Sequence, residues 1–233
     1  MELIERETIN KKFFKFFKKY AHLYPKEARE FIKDNFASSI RNICQADILM
    51  QINQELGVTF PIPSFYEAHV NKIMELFDIG CHITDVASGM LPAFANLIAS
   101  RQLKIGKGTI TLYDPELLTT EPKYRNMTLH KEEFTTNTNI SSSNLLVGIL
   151  PCKATETIIE SACTNHKDFY IAMCGCTHFK HITPYMLPSP ELYQLEIIDL
   201  AEKLLKQYDN GKLVVEHLDD NYEINYPILY NKK

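Results

Sequence analysis

Residues 213–230 read LVVEHLDDNYEINYPILY: two short runs rich in β-branched and aromatic residues, 213–218 and 226–230, separated by the acidic turn DDNYEIN. Runs of that composition and length predict strands. A parallel neighbour needs a crossover of a dozen residues or more, so a connection this short predicts an antiparallel hairpin. Upstream, back to about residue 82, the rhythm differs. Strand-like runs at 82–86, 109–113, 127–130, 144–150 and 169–173 are interleaved with helical patterns at 91–101, 155–163 and 190–208. Such alternation predicts a mostly parallel sheet with helices on both faces. Right-handed crossovers then bring the strand ends to one edge, where open α/β sheets hold ligands. The expected architecture is α/β: a mostly parallel seven-stranded sheet that ends in an antiparallel hairpin.

Residues 1–75 have another character. Phe13, Phe16, Phe17, Tyr20 and Leu23 recur at helical spacing among Lys11, Lys12, Lys15, Lys18 and Lys19. Further helical patterns follow, and 58–65 (VTFPIPSF) is a proline-punctuated linker. The chain is therefore divided into a helical N-terminal region, 1–75, and an α/β domain, 76–233. Three readings fit the lysine stripe: a solvated face on a packed helix, a face that follows nucleic-acid phosphates, or a membrane-surface face, which the acidic Glu27, Glu30 and Asp34 close behind it disfavour.

With 233 residues, 45% hydrophobic and 23% charged, the composition is that of a globular protein. A net charge of -4 excludes a globally basic protein but not a local basic face. No apolar run nears the roughly 20 residues that span a bilayer, and MELIERETIN is not a secretory signal. A cytoplasmic, membrane-independent protein is expected, with its six cysteines as thiols.

The first strand leads into 83–98, ITDVASGMLPAFANLI: a strand end at Asp85 and Val86, a turn of small residues Ala87, Ser88 and Gly89, then an alanine-rich helix. Small residues there let backbone approach a ligand, and the helix start offers unpaired N–H groups. The second strand ends at Asp114, 29 positions after Asp85. An acidic residue at that place in a nucleoside-binding α/β fold accepts hydrogen bonds from ribose hydroxyls, and a turn residue before Pro115 is the plainer alternative. Glu133 and Phe134 lie just past the third strand. The fourth ends in Leu150, Pro151, Cys152 and Lys153, and the fifth in Cys174, Gly175, Cys176, Thr177 and His178.

In this order and with the closing hairpin, these elements resemble the class I S-adenosylmethionine-dependent methyltransferases over about residues 80–230. The resemblance implies a Rossmann-like fold and S-adenosylmethionine as cofactor. Asp85, Ala87, Ser88 and Gly89 would face its methionine part, Asp114 its ribose, and Glu133, Phe134, Leu150 and Pro151 its remaining surroundings. Ala87 and Leu91 stand where that family usually has glycine. Cys152 followed by Ala154, Thr155 and Glu156, with a cysteine–histidine cluster after the fifth strand, resembles the branch that includes tRNA 2′-O-ribose methyltransferases. RNA, rRNA or tRNA, is then the implied acceptor, reached in part through Lys11, Lys12, Lys15, Lys18 and Lys19.

Three chemistries stay open for the strand-end groups. Lys153, His178 or Glu156 would assist removal of a proton from a ribose hydroxyl. Alternatively, Pro151–Cys152 with Cys174 or Cys176 imitates the covalent layout of RNA cytosine-5 methyltransferases, where a thiolate attacks the base. Cys152, Cys174, Cys176 and His178 would also make up a zinc set, although the usual two-residue gap between cysteines is absent. The expected catalytic group is Cys152, Lys153, Cys174 and His178, with no metal. A small-molecule methyltransferase, or a protein that binds the cofactor without catalysis, is the alternative.

Overall fold

The structure is a computed structural model that describes residues 65–89, 92–117, 121–174, 190–218 and 227–233. The helices expected between residues 1 and 64, the linker and the five lysines lie outside the described residues. Residues Ser64–Lys233 form one compact unit. Helix α1 (Phe65–Leu76), which the sequence reading grouped with the N-terminal region, is part of that unit. The chain then runs through β1 (His82–Val86), α2 (Ala93–Ile105), β2 (Thr109–Tyr113), β3 (Met127–His130) and β4 (Leu145–Ile149). A 3-10 turn (Cys152–Ala154) opens α3 (Thr155–Thr164), followed by β5 (Asp168–Ala172), α4 (Pro190–Tyr208), β6 (Lys212–Glu216) and β7 (Ile228–Lys232).

The seven strands form one sheet in the order β3-β2-β1-β4-β5-β7-β6. Strands β1 to β5 pair in parallel, and β7 lies antiparallel to both β5 and β6. This is the Rossmann-like class I methyltransferase topology expected from the sequence. The predicted hairpin strands are shifted by one or two residues, to 212–216 and 228–232. Helix α2 also continues four residues past its predicted end at Arg101. It stops only at Gly106, whose φ of 73° supplies the left-handed cap.

Alternation along β5 shows how the sheet is covered. Phe169 and Ile171 join Leu146, Ile158, Ile197 and Leu229 in the core under α3 and α4. Tyr170, between them, points to the other face, where its hydroxyl meets His69 Nδ1 of α1 at 2.8 Å. Burial pushes the His69 imidazole down to about 3, so it sits there neutral. On the same side Lys72 of α1 pairs with Glu216 of β6 at 2.9 Å, and Glu216 also accepts the Tyr230 hydroxyl at 2.7 Å. Strand β4, buried at all five positions, is flanked on both faces, which is why LLVGI carries no polar alternation.

The reversed strand β7 is held by a buried asparagine. Asn231 Oδ1 accepts the Phe169 N–H at 2.8 Å, while Nδ2 donates to the Asn210 carbonyl at 3.0 Å and to Asp168 Oδ1 at 3.3 Å. Removing the amide leaves buried backbone groups on two elements without partners. Asn231→Ala should therefore lower the unfolding free energy by about 2–4 kcal/mol. Urea denaturation checks this, and an unchanged midpoint would show that the amide is not what joins β7 to β5.

Candidate functional site

The strand order places a topological switch between β1 and β4. The chain builds outward from β1 through β2 to β3, then returns to lay β4 on the other side of β1. Ligands of open α/β sheets occupy the crevice at such a point, beyond the strand C-terminal ends. One wall here is the turn after β1. Ala87 adopts a φ of 59° and Gly89 one of 80°. The left-handed region costs a residue with a Cβ roughly 1–2 kcal/mol, so Ala87 takes up at some expense the backbone form that glycine adopts freely. Its N–H donates to the Tyr113 carbonyl at 2.9 Å, which anchors the turn on β2. Leu91 lies outside the described residues.

Two carboxylates are tied to this turn through consecutive residues. Ser88 Oγ donates to Asp85 Oδ2 at 2.6 Å, and the Gly89 N–H donates to Asp114 Oδ2 at 2.9 Å. The other Asp114 oxygen accepts the Glu116 N–H at 2.7 Å, so the β2 end is itself a turn closed on Asp114. The two sequence readings of Asp114 are thus compatible: it caps its own turn and presents its carboxylate at the edge. Asp85 is 1% exposed and Asp114 7%. Desolvation, reinforced by the charge of Asp114 and opposed by the Ser88 hydrogen bond, pushes Asp85 up to about 7. Asp114 is also raised, by burial, against the backbone N–H groups of Glu116 and Gly89.

The second wall is the turn after β4. Leu150 and Cys152 have φ of 57° and 47°, both in the left-handed region and on either side of Pro151. The Leu150 N–H still donates to the Ala172 carbonyl of β5 at 2.8 Å. The Cys152 carbonyl accepts the Thr155 hydroxyl at 2.8 Å and the Tyr193 hydroxyl of α4 at 3.4 Å. Cys152 is half-buried and Lys153 exposed, whereas Glu156, in the first turn of α3, is buried. Cys174, two residues past β5, is buried as well. Pairing of β4 with β5 puts Cys152 and Cys174 at the ends of adjacent strands. Cys176 and His178 lie outside the described residues, and among the described residues no group of three or more His, Cys, Asp or Glu is arranged to hold a metal ion.

At the β3 end the picture is mixed. Glu133 is exposed, and Phe134 belongs to the core, edge-on to Tyr113 with ring centroids 5.6 Å apart. The sequence reading missed His130, which stacks on Tyr113 at 4.6 Å with planes 9° apart. The two are direct register partners across β2 and β3, a relation set by strand pairing, with no local sequence signal. Tyr193 was also missed: it is 41 positions from Cys152 and meets it only because α4 packs back over the sheet.

The raised Asp85 has a consequence for stability. A carboxyl whose folded value lies near 7, against an ordinary 3.8, binds its proton more tightly in the folded state. Stability from that term is therefore full at acid pH and falls as pH rises from about 4 to 7, by on the order of 4 kcal/mol if the whole shift is realised. Asp85→Asn keeps an oxygen to accept the Ser88 hydroxyl but carries no charge. Thermal unfolding should show the variant matching the parent near pH 4 and exceeding it by several degrees near pH 8. Equal melting temperatures at both would show that the ionised Asp85 is not costly to bury.

No protein-family model matches the chain, and no curated protein matches it. Among solved structures, it is similar to an S-adenosylmethionine-dependent methyltransferase from Aquifex aeolicus, at 15% identity over 72% of this chain and 92% of that one, with a TM-score of 0.43. The 23S rRNA methyltransferase ErmE matches at 8% identity over 73% of this chain and 68% of its own, with a TM-score of 0.42. A variant of MtNAS in complex with S-adenosylmethionine matches at 11% identity over 90% of this chain and 84% of its own, with a TM-score of 0.46. At these scores the likenesses are not a basis for assigning substrate, and the fold rests on the strand order itself.

Proposed function

We propose that the chain is an S-adenosylmethionine-dependent methyltransferase whose acceptor is RNA. One observation carries the cofactor: the turn after β1 joins two buried carboxylates, Asp85 and Asp114, at the switch point of this sheet. Asp114 stands where a ribose diol would be received, with further lone pairs on both oxygens beyond its two backbone donors. Asp85, buried and negative when ionised, suits the positively charged amino acid part of such a ligand. Ala87 and Gly89 hold the turn in left-handed backbone. The residues present fit the group.

When bound, the cofactor would supply an electrophilic methyl group on a sulfonium. The work left to this chain is to orient the acceptor, exclude water and take a proton from a hydroxyl acceptor. Lys153, exposed beside the β4 turn, and His178 are the proposed groups for the proton. Cys152 and Cys174 line the ends of β4 and β5. The RNA acceptor rests on the Cys152 to Glu156 resemblance and the lysine stripe, Lys11, Lys12, Lys15, Lys18 and Lys19. A positive stripe of that kind would follow phosphates.

Titration calorimetry with S-adenosylmethionine and S-adenosylhomocysteine tests the first part; binding of neither would refute it. Asp114→Ala should weaken binding by roughly tenfold or more, the loss of two hydrogen bonds to a charged acceptor. An unchanged affinity would remove the ribose contact. Methyl incorporation into total RNA, measured beside a small-molecule pool, tests the acceptor. Replacing the five lysines by alanine should lower RNA methylation and flatten its salt dependence while cofactor affinity holds. Incorporation only into small molecules would refute the RNA reading.

A further inference from the structure

Asp85 and Asp114 have no cationic partner among the described residues. The lysine ion pairs nearest in kind lie elsewhere, at Lys72–Glu216, Lys107–Asp78 and Lys233–Asp168. Ser88 gives Asp85 one neutral hydrogen bond, and the donors to Asp114 are backbone N–H groups. A carboxylate that is 1% exposed, with one neutral donor and a second carboxylate acting on it, is held at a cost that only a proton or an arriving cation relieves. Among the described residues, the other titratable groups on this edge are Glu116 after β2, His130, Glu132 and Glu133 at and after β3, Cys152, Lys153 and the buried Glu156 after β4, and Cys174 after β5. Helix α2 contributes the uncharged Asn96 in its first turn. Of all these, only Asp114 exerts its charge on Asp85.

We infer that Asp85 is a proton-exchanging receptor for the ligand's ammonium group: it is protonated in the empty site and releases that proton to solvent as the ammonium docks. This deepens the proposed function and rests on it. The exchange leaves the buried charge balanced in both states, by a proton when empty and by the ammonium when filled. Because burial holds Asp85 up to about 7 in the empty site, the exchange falls within the neutral range. Affinity for an ammonium-bearing ligand then rises with pH up to that value and levels off above it. A ligand with the same nucleoside but no ammonium gains nothing from the ionised carboxylate.

The test is titration calorimetry with S-adenosylhomocysteine and with 5′-methylthioadenosine, which share the thioether nucleoside but differ in the amino acid part. In the full chain, S-adenosylhomocysteine should bind tenfold or more tightly at about pH 7.5 than at about pH 5.5, with proton release detected in two buffers of different ionisation heat. The affinity of 5′-methylthioadenosine should stay within about twofold over the same range. Asp85→Asn should abolish the pH dependence, or lose S-adenosylhomocysteine while keeping 5′-methylthioadenosine. A flat profile for S-adenosylhomocysteine, parallel profiles for both ligands, or an unchanged slope in Asp85→Asn would overturn the inference and leave the methyltransferase reading standing. Binding of neither ligand at any pH would overturn both.

Discussion

Of the two hydrogen bonds that couple the turn after β1 to the end of β2, the one from the Gly89 N–H to Asp114 Oδ2 fixes a carboxylate. The candidate site depends on it. The turn that carries this N–H takes a left-handed step at Ala87, two residues before Gly89, and Gly89 itself has a φ of 80°. That step in turn is held by the Ala87 N–H on the Tyr113 carbonyl, one residue before Asp114. The turn and the strand end thus brace each other. Parallel pairing of β1 with β2 in the register Val86↔Tyr113 sets the spacing in which both bonds fit. A slip of one residue would turn Asp114 to the opposite face and undo both.

Much of the fold was legible because the sheet is built from short, strongly patterned pieces. The strands 82–86, 109–113 and 127–130 and the helix Pro190–Tyr208 coincide with their predicted bounds. The turn DDNYEIN was too short for any other connection, so the antiparallel pairing of β6 with β7 could be read from length alone. Element ends were less legible where polar residues make tertiary bonds. Gln102 extends α2 past Arg101 because its amide donates to the carbonyls of Ile79, Cys81 and Thr109, a purpose invisible in local sequence. Helix α1 was grouped with the N-terminal helices for the same reason: its tie to the sheet, His69 on Tyr170, spans 101 positions.

The site divides along the same line. The places of Asp85, Ser88, Gly89 and Asp114 at a strand end or turn were legible because local pattern sets them. That Ser88 serves Asp85 while Gly89 serves Asp114 was not, since it depends on turn geometry. Phe134 illustrates the reverse. Its position past β3 suggested a place beside a ligand, but an aromatic ring of that size next to Tyr113 is drawn into the apolar core. The exposed Glu133 next to it is left at the rim.

Backbone strain marks both walls of the crevice. Three residues with a Cβ, namely Ala87, Leu150 and Cys152, hold left-handed φ values at the ends of the two strands that flank the switch point. Such conformations persist only where the surroundings over-determine them. Here those surroundings are identifiable: Ala87 is fixed by Tyr113, Leu150 by Ala172, and Cys152 by the hydroxyls of Thr155 and Tyr193. Each anchor comes from a neighbouring element, so the rigid sheet and its two packed helices hold the turns in forms that their own residues disfavour. At Ala87 the left-handed form costs roughly 1–2 kcal/mol, and the hydrogen bond to Tyr113 of β2, worth about 0.5–1.5 kcal/mol, offsets much of it. A chain under no demand to keep that turn would lose little by letting either wall relax into an ordinary strand–helix connection. That the turns after β1 and β4 both hold such conformations, the first of them two residues from the buried Asp85, supports the site proposed at the switch point.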